Sequence, residues 1–333
     1  MDVPETLRAA LTSLAEDYPT RALAQAAAAM SASYRAESES PAAAAITSPV
    51  AAVAYALTRM PATYAALAAV LSETRRRLPA WSPVSVLDVG AGPGVSAWAA
   101  GEIWPALRGV TLLERDQRMI VVGQRLLREA PVEPSVTWRQ ADVTADWGRL
   151  PGEPFDLCVS SYMLNELPHA RRLALVARLW EACGGALALV APGTPAGFAA
   201  IREARTWLID AGAQMVAPCP HADACPMSPG DWCHFSQRLA RSRLHRQLKG
   251  GDAPFEDEKF SYVVAAREPG AAIAARVIRH PTVHAGHITL DLCAPGGLLR
   301  AEVTRSDRVA WRAAREASWG AALDALPRNT RER

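Results

Sequence analysis

Three cysteines fall within one short stretch, Cys219-Pro220-His221-Ala222-Asp223-Ala224-Cys225-Pro226, continued by Asp231-Trp232-Cys233-His234-Phe235. Five and seven residues separate them, and a fourth, Cys293, comes after fifty-nine more. Thiolates are ligands for soft metals, and the neighbouring prolines stiffen a loop that could hold them without a hydrophobic core. Structural zinc usually draws on close C-x₂₋₄-C pairs, and this stretch has none. Wide, uneven spacing with a distant fourth ligand suits an iron–sulfur cluster, whose ligands spread around a larger object. On the residues alone three outcomes stay open: a four-cysteine cluster, zinc assisted by His221 or His234, or no metal. Cys158 and Cys183 differ, since an apolar strand and a helix end make them core residues.

The second chemical feature is Val86-Leu87-Asp88-Val89-Gly90-Ala91-Gly92-Pro93-Gly94, which ends a strand and enters a helix. Doubly wound sheets bind ligands there, beyond the carboxyl ends of their strands. The dinucleotide fingerprint G-x-G-x-x-G/A wants Gly or Ala where Val95 stands. Three alternating glycines after an acid inside the strand instead resemble the first motif of class I methyltransferases, which use S-adenosylmethionine (SAM). That resemblance implies that Asp88 orients the cofactor's methionine end while Gly90, Gly92 and Gly94 pass beside it. Glu114, ending the next strand, stands where a carboxylate accepts both ribose hydroxyls. Asp142, after the third strand, stands where the family often reads the adenine amino group.

These residues need a scaffold, and the hydrophobic periodicity supplies one. Before residue 80 the chain reads as helices, over Leu7–Glu16, Arg21–Tyr34 and Ala51–Leu78, with a loop at 38–49. The last helix carries Leu57, Met60, Tyr64, Leu67 and Leu71 on one face, and Pro61 is expected to kink it. Arg75-Arg76-Arg77 at its end offsets the negative end of the helix dipole. Strand–helix alternation follows: strands at 84–89, 110–114, 135–141, 155–160 and 186–191, with helices between, one opened by Pro168 as a first-turn residue. Five such strands argue for a parallel sheet covered on both faces. A helix over 195–211, a strand over 259–266 and a hairpin of 287–293 with 298–304 complete the pattern. The expected organisation is an N-terminal helical region at 1–80 and a Rossmann-like class I methyltransferase doubly wound sheet at 81–214. A cysteine-rich insertion with a basic segment at 215–250 follows, and then final core strands and a C-terminal β-hairpin extension at 251–333.

The 333 residues are half apolar, enough for a real core, and the net charge of +2 commits the chain to no polyanion globally. The N-terminus lacks the basic and apolar regions of a secretory signal, and the Ala-rich stretch 22–30 is too short to span a bilayer. These features predict a cytosolic protein without membrane contact, in which a disulfide framework is not expected.

A local basic patch remains. Residues 238–249 hold Arg238, Arg241, Arg243, Arg246 and Lys249 and no acid. On a helix, Leu239, Leu244 and Leu248 face inward and the cations outward toward phosphates. Catalytic residues are not legible. The N/D-P-P-Y/F loop with which amino-directed methyltransferases grip a base is absent, and Ser160–Pro168 stands in its place. There Tyr162 could stack on a base, whereas Asn165 and Glu166 are better read as shaping a helix entrance. Methyl transfer from a sulfonium needs chiefly in-line positioning, so no base is obligatory.

A methyltransferase sheet followed by C-P-H-x₃-C-P and D-W-C-H-F resembles the small-ribosomal-subunit assembly family of mitochondrial methyltransferase-like protein 17 and its bacterial relatives. Asn165-Glu166-Leu167-Pro168, Lys259-Phe260-Ser261-Tyr262 and Trp319-Gly320 add to the match, which runs from about Tyr55 onward. The resemblance implies a [4Fe–4S] cluster on Cys219, Cys225, Cys233 and Cys293, and the small ribosomal subunit with its rRNA as partner. With no mitochondrial presequence visible, the expected location is a bacterial cytoplasm. The expected function is a SAM-dependent rRNA methyltransferase. The alternatives are a non-catalytic iron–sulfur assembly factor and a small-molecule methyltransferase.

Overall fold

The N-terminal helices form where apolar residues recur at helical spacing. In α1 (Glu5–Glu16), Leu7, Ala10, Leu11 and Leu14 make the buried stripe. The structure, a computed structural model, describes residues 3–35, 46–130, 134–145 and 147–333, so the loop expected at 38–49 lies largely outside it. α2 (Thr20–Arg35) leads to α3 (Pro49–Arg77), which starts with Pro49 in its first turn and Ser48 Oγ accepting from Ala51 N. α3 is buried over most of its circumference and runs on as one helix through Pro61, where a kink was expected. Its terminal arginines serve the fold: Arg75 donates to Ile103 O, while Arg76 and Arg77 pair with Glu73.

The central sheet begins with β1 (Ser85–Val89), α4 (Val95–Ile103), β2 (Gly109–Glu114), α5 (Gln117–Leu127), β3 (Ser135–Gln140) and β4 (Phe155–Ser161). A 3₁₀ turn at Leu164–Glu166 precedes α6 (His169–Ala182), β5 (Cys183–Pro192) and α7 (Pro195–Asp210). Pro168 caps α6 from outside its first turn. Three further strands, β6 (Gln214–Ala217), β7 (Phe235–Ala240) and β8 (Phe255–Ala266), complete the sheet, with α8 (Arg243–Lys249) between the last two. The strand order is β3-β2-β1-β4-β5-β8-β6, with β7 also on β8. The first five strands are parallel, as expected, but β8 runs antiparallel to β5, and β6 and β7 antiparallel to β8. A parallel core closed by antiparallel strands is the class I methyltransferase arrangement.

Alternation along the strands sorts side chains onto two covered faces. Val86, Ala186, Ala188 and Val190 face the layer containing α3 and α4, while Leu87, Leu187, Leu189 and Ala191 face α6 and α7. Cys158 and Cys183 are buried in the latter layer, as expected of core thiols.

The C-terminal hairpin is more than an extension. A second, six-stranded sheet holds β9 (Ala275–Val277), β10 (Thr282–Val283), β11 (His287–Ala294) and β12 (Gly297–Thr304), and then, after α9 (Arg308–Glu316), β13 (Ala322–Leu323) and β14 (Thr330–Glu332). It has its own small core around Val277, Ile288, Leu290, Leu292 and Val303, closed by Ala314 of α9.

Candidate functional site

Side chains are excluded from the turn after β1 for stated reasons. Gly90, Gly92 and Gly94 have φ of 79°, 53° and 81°, in the left-handed region. A Cβ on Gly90 would lie 2.7 Å from Met163 Sδ, and one on Gly94 would meet Leu112 and the Trp138 ring at 3.2 Å. The turn is tied to β2 through the Gly90 and Ala91 amides, which donate to Leu113 O. Glu114 completes the tie: Oε2 accepts from Gly92 N at 2.8 Å and Oε1 from Asp116 N at 2.9 Å.

Asp88 sits at the centre of this arrangement, on β1 and fully buried. Neither carboxylate oxygen makes a hydrogen bond of acceptable geometry, and the nearby Ser96 Oγ is likewise unpartnered. Burial, which the Ser96 hydroxyl counters only in part and the Glu114 charge reinforces, pushes its pKa up to about 7. A buried carboxylate left without donors is costly, and a ligand that brings N–H or O–H groups to the tip of β1 removes that cost. The expected residues Asp88, Gly90, Gly92, Gly94 and Glu114 are thus brought together at one sheet end.

Asp142 stands farther out. It is exposed after β3, and its Oδ1 accepts from Thr144 N and Oγ1 in a local turn, which holds its pKa below the usual carboxylate range. A residue whose role sequence reasoning understated is Glu166, in the 3₁₀ turn after β4. Burial pushes its pKa up to about 7, with Arg115 opposing and Glu114 adding, which places a third carboxylate beside the turn. Its signal was positional, since the stretch after the fourth strand borders the ligand side of such a sheet. Tyr162 does not fit the base-stacking reading. With φ at 62° it turns inward, its hydroxyl donates to Glu258 Oε1 at 2.8 Å, and burial raises its pKa well above the ordinary tyrosine value.

The four cysteines line one cavity, although the last lies far along the chain. Cys219 and Cys225 follow β6, Cys233 precedes β7, and Cys293 comes from β11 of the second sheet. All four line one small cavity with His221, whose other walls include Phe198, Ile201, Met227 and Tyr262. Burial raises the pKa of Cys219, Cys233 and Cys293, with the neighbouring cysteines adding to it; that of Cys293 is pushed up to about 12. Among the described residues no three His, Cys, Asp or Glu side chains come close enough to hold one metal ion. The donor set is soft and apolar-walled, four cysteines from separate segments around one cavity, which is chemistry suited to a soft metal centre. His221 Nε2 lies 3.5 Å from Cys293 Sγ. His234 is stacked on Trp232, edge-on to Trp319, with Nδ1 facing Trp232 O at 3.3 Å, so its aromatic neighbours account for it without a metal.

The basic segment is not the continuous cationic helix expected. Arg238 lies on β7 and is paired with Asp257 through both carboxylate oxygens, while Arg241 and Lys249 share Glu256. Acids on β8 neutralise three of the five cations. Among the described residues, Arg243 and Arg246 carry no ion pair.

A family signature described as mitochondrial small ribosomal subunit Rsm22 matches residues 49–324. The human protein described as ribosome assembly protein METTL17, mitochondrial, is 32% identical over 300 residues, covering 82% of this chain and 62% of its own length. The fission-yeast Rsm22-cox11 tandem protein 2, mitochondrial, is 28% identical over 323 residues, 80% of this chain and 42% of its own. The chain thus spans less than two thirds of either relative. A magnesium protoporphyrin IX methyltransferase from Synechocystis with bound S-adenosylhomocysteine overlaps 62% of this chain and 82% of its own, at TM-score 0.39 and 15% identity. A TehB-like SAM-dependent methyltransferase from Corynebacterium glutamicum overlaps 62% and 88%, at 0.38 and 16%. The expected bacterial cytoplasmic location is overturned by these matches, because the family and both curated relatives are mitochondrial by name. With its signature covering most of the chain, from within α3 to the end of β13, this protein belongs to the mitochondrial small ribosomal subunit Rsm22 family.

Proposed function

We propose that the protein is a SAM-binding, methyltransferase-like factor acting in small ribosomal subunit assembly, with four of its six cysteines holding an iron–sulfur cluster. The observation that carries the cofactor half is Asp88, a fully buried carboxylate without a hydrogen-bond partner beside a turn of three left-handed glycines. Such a group accepts donors from the methionine end of SAM. Glu114, already anchoring Gly92, retains lone pairs for the ribose diol, and Asp142, whose Oδ1 is taken by Thr144, would read the adenine amino group through Oδ2. The ribosomal half rests on family membership and on the human relative, which is named a ribosome assembly protein.

For the cluster, Cys219, Cys225, Cys233 and Cys293 are the ligands, and the bound group supplies a covalent tie between the insertion and the second sheet. Burial holds Cys219, Cys233 and Cys293 protonated, so loading releases protons, and the site is expected to fill more readily as pH rises.

A non-catalytic assembly factor is the second reading, favoured by the inward-turned Tyr162, which leaves no aromatic side chain from that loop to grip an extruded base. Two measurements separate the readings. Calorimetry with SAM and S-adenosylhomocysteine should show uptake, and no heat with either ligand on folded protein would end the cofactor reading. Labelled SAM with subunits from a deletion strain then tests transfer: label in rRNA supports an enzyme, whereas tight subunit binding without label supports the assembly factor. Anaerobic isolation with iron and sulfide assay tests the cluster, and stoichiometric zinc without sulfide would overturn it.

A further inference from the structure

Two arginines hold the cysteine loop, Arg205 from the wall of the thiol cavity and Arg276 through the carbonyl of Pro218, and both are almost wholly buried, at 4% and 1% exposure. Burying a guanidinium is expensive unless its donors are used and its charge is answered. Arg205, on α7, spends its donors on the cysteine loop. Nε donates to Cys219 Sγ at 3.3 Å, and Nη2 donates to His221 O and Asp223 O, both at 2.8 Å. One side chain therefore holds a ligand sulfur and two carbonyls of the backbone between the first two cysteines.

Arg276, on β9 of the second sheet, holds the loop from its other end. Nε donates to Pro218 O at 2.8 Å, directly before Cys219, while Nη1 donates to Glu73 Oε1 of α3 at 2.7 Å and to Gly320 O at 2.9 Å. Its Nη2 is buried and has no partner. A guanidinium nitrogen left unsatisfied in the core, on an arginine that holds the carbonyl directly before Cys219, is a donor in search of an anion. Four thiolates around an iron–sulfur core carry net negative charge, and these two cations are the buried charges placed to answer it. Glu73 already has Arg76 and Arg77 as further partners, so Arg276 is not fully neutralised by its own ion pair.

We propose that Arg205 and Arg276 are the positioning residues of the thiol-bound centre: Arg205 sets Cys219 and the loop that follows it, Arg276 fixes the loop's entry against α3 and the second sheet, and their charges stabilise the anionic cluster. The inference rests on the iron–sulfur reading above. Partners of this kind, one step beyond the ligands, typically change metal affinity by about 10–100-fold when removed. Charge and hydrogen bonds at the sulfurs also set the reduction potential of such clusters.

The test compares wild type with Arg205→Gln, Arg205→Lys and Arg276→Gln, in the last of which Glu73 keeps Arg76 and Arg77 as partners. All are purified anaerobically as full chains, and circular dichroism verifies folding. The readouts are iron and sulfide content, the rate of iron release to a chelator, and the midpoint potential followed by visible absorption. Arg205→Gln and Arg276→Gln should each release iron about 10-fold faster or more, with the potential moved to more negative values. Arg205→Lys keeps the charge but loses the fork, so it should restore much of the potential while still releasing iron quickly. Folded variants that match wild type in both release rate and potential overturn this inference alone. A wild-type protein that takes up no iron and sulfide overturns the iron–sulfur reading and this inference with it.

Discussion

Replacing Asp88 by asparagine tests the cofactor site through the stability of the empty protein. The carboxyl is fully buried and unpartnered, and its pKa rises from an ordinary 3.8 to about 7. At about 1.36 kcal/mol per pK unit, that difference is about 4 kcal/mol. The folded chain keeps this proton to higher pH than the unfolded chain does. The associated stability is therefore fully present below pH 3.8, is lost as pH rises toward 7, and stays lost above it. Asp88→Asn cannot lose it, because an amide does not ionise. Whatever constant cost the amide carries, the stability difference between the two proteins should swing toward the variant by about 4 kcal/mol between pH 4 and pH 8. Urea unfolding of both proteins without ligand, at half-unit pH steps, measures the swing. The same substitution should abolish heat on titration with S-adenosylhomocysteine, so the variant is the more stable protein and the poorer binder. A stability difference that stays constant from pH 4 to pH 8 would refute the argument from burial.

Other consequences are equally open to measurement. Gly197→Ala should destabilise the fold by about 1–3 kcal/mol or prevent soluble expression, because the new methyl would lie 2.0 Å from Pro192 O at the start of α7; a near-neutral urea midpoint would contradict the packing. Gly90→Ala should weaken SAM binding at least tenfold by straining the turn and displacing Met163, as calorimetry can show. Cys293→Ser should lower bound iron and sulfide while leaving central-sheet stability nearly unchanged, since the residue belongs to the second sheet; full iron content would remove it from the ligand set. Reversing charge at Arg243 and Arg246 should weaken binding to small-subunit RNA and flatten its salt dependence, whereas the paired change Arg238→Gln with Asp257→Asn should do little, because it removes an already neutral pair. Filter binding across a salt series distinguishes the two.

Periodicity and turn chemistry carry information that stays local, and the legible parts were those that local rules determine. β1 with its glycine turn, the five parallel strands and α7 all appear within a few residues of expectation, because each is a continuous apolar or amphipathic run. β9, β13 and β14 could not be read, being two or three residues long and defined by partners elsewhere in the chain. The charges of 238–249 read as free because their partners, Asp257 and Glu256, arrive through β7–β8 pairing. Tyr162 invited a functional reading by its place after β4, and only the tertiary contact with Glu258 shows its inward role. The cysteines were legible by type, but their meeting depends on how the second sheet docks. The buried arginines that hold them carry no sequence signal at all.

The edge of the central sheet has an architectural consequence. Ala217, the last residue of β6, pairs with Val264, and Phe235, the first of β7, pairs with Phe260, so only Ser261, Tyr262 and Val263 separate their partners on β8. β6 and β7 are two halves of a single border strand, and residues 218–234 are a detour between them. A detour that leaves and rejoins the same border can lengthen, shorten or change its chemistry without disturbing the ladder beneath it. The thiol loop is in that sense a separable attachment: a chain with a short bridge in place of 218–234, and with Arg205 and Arg276 replaced because the loop takes their donors, should still assemble its central sheet while giving up the cysteine chemistry.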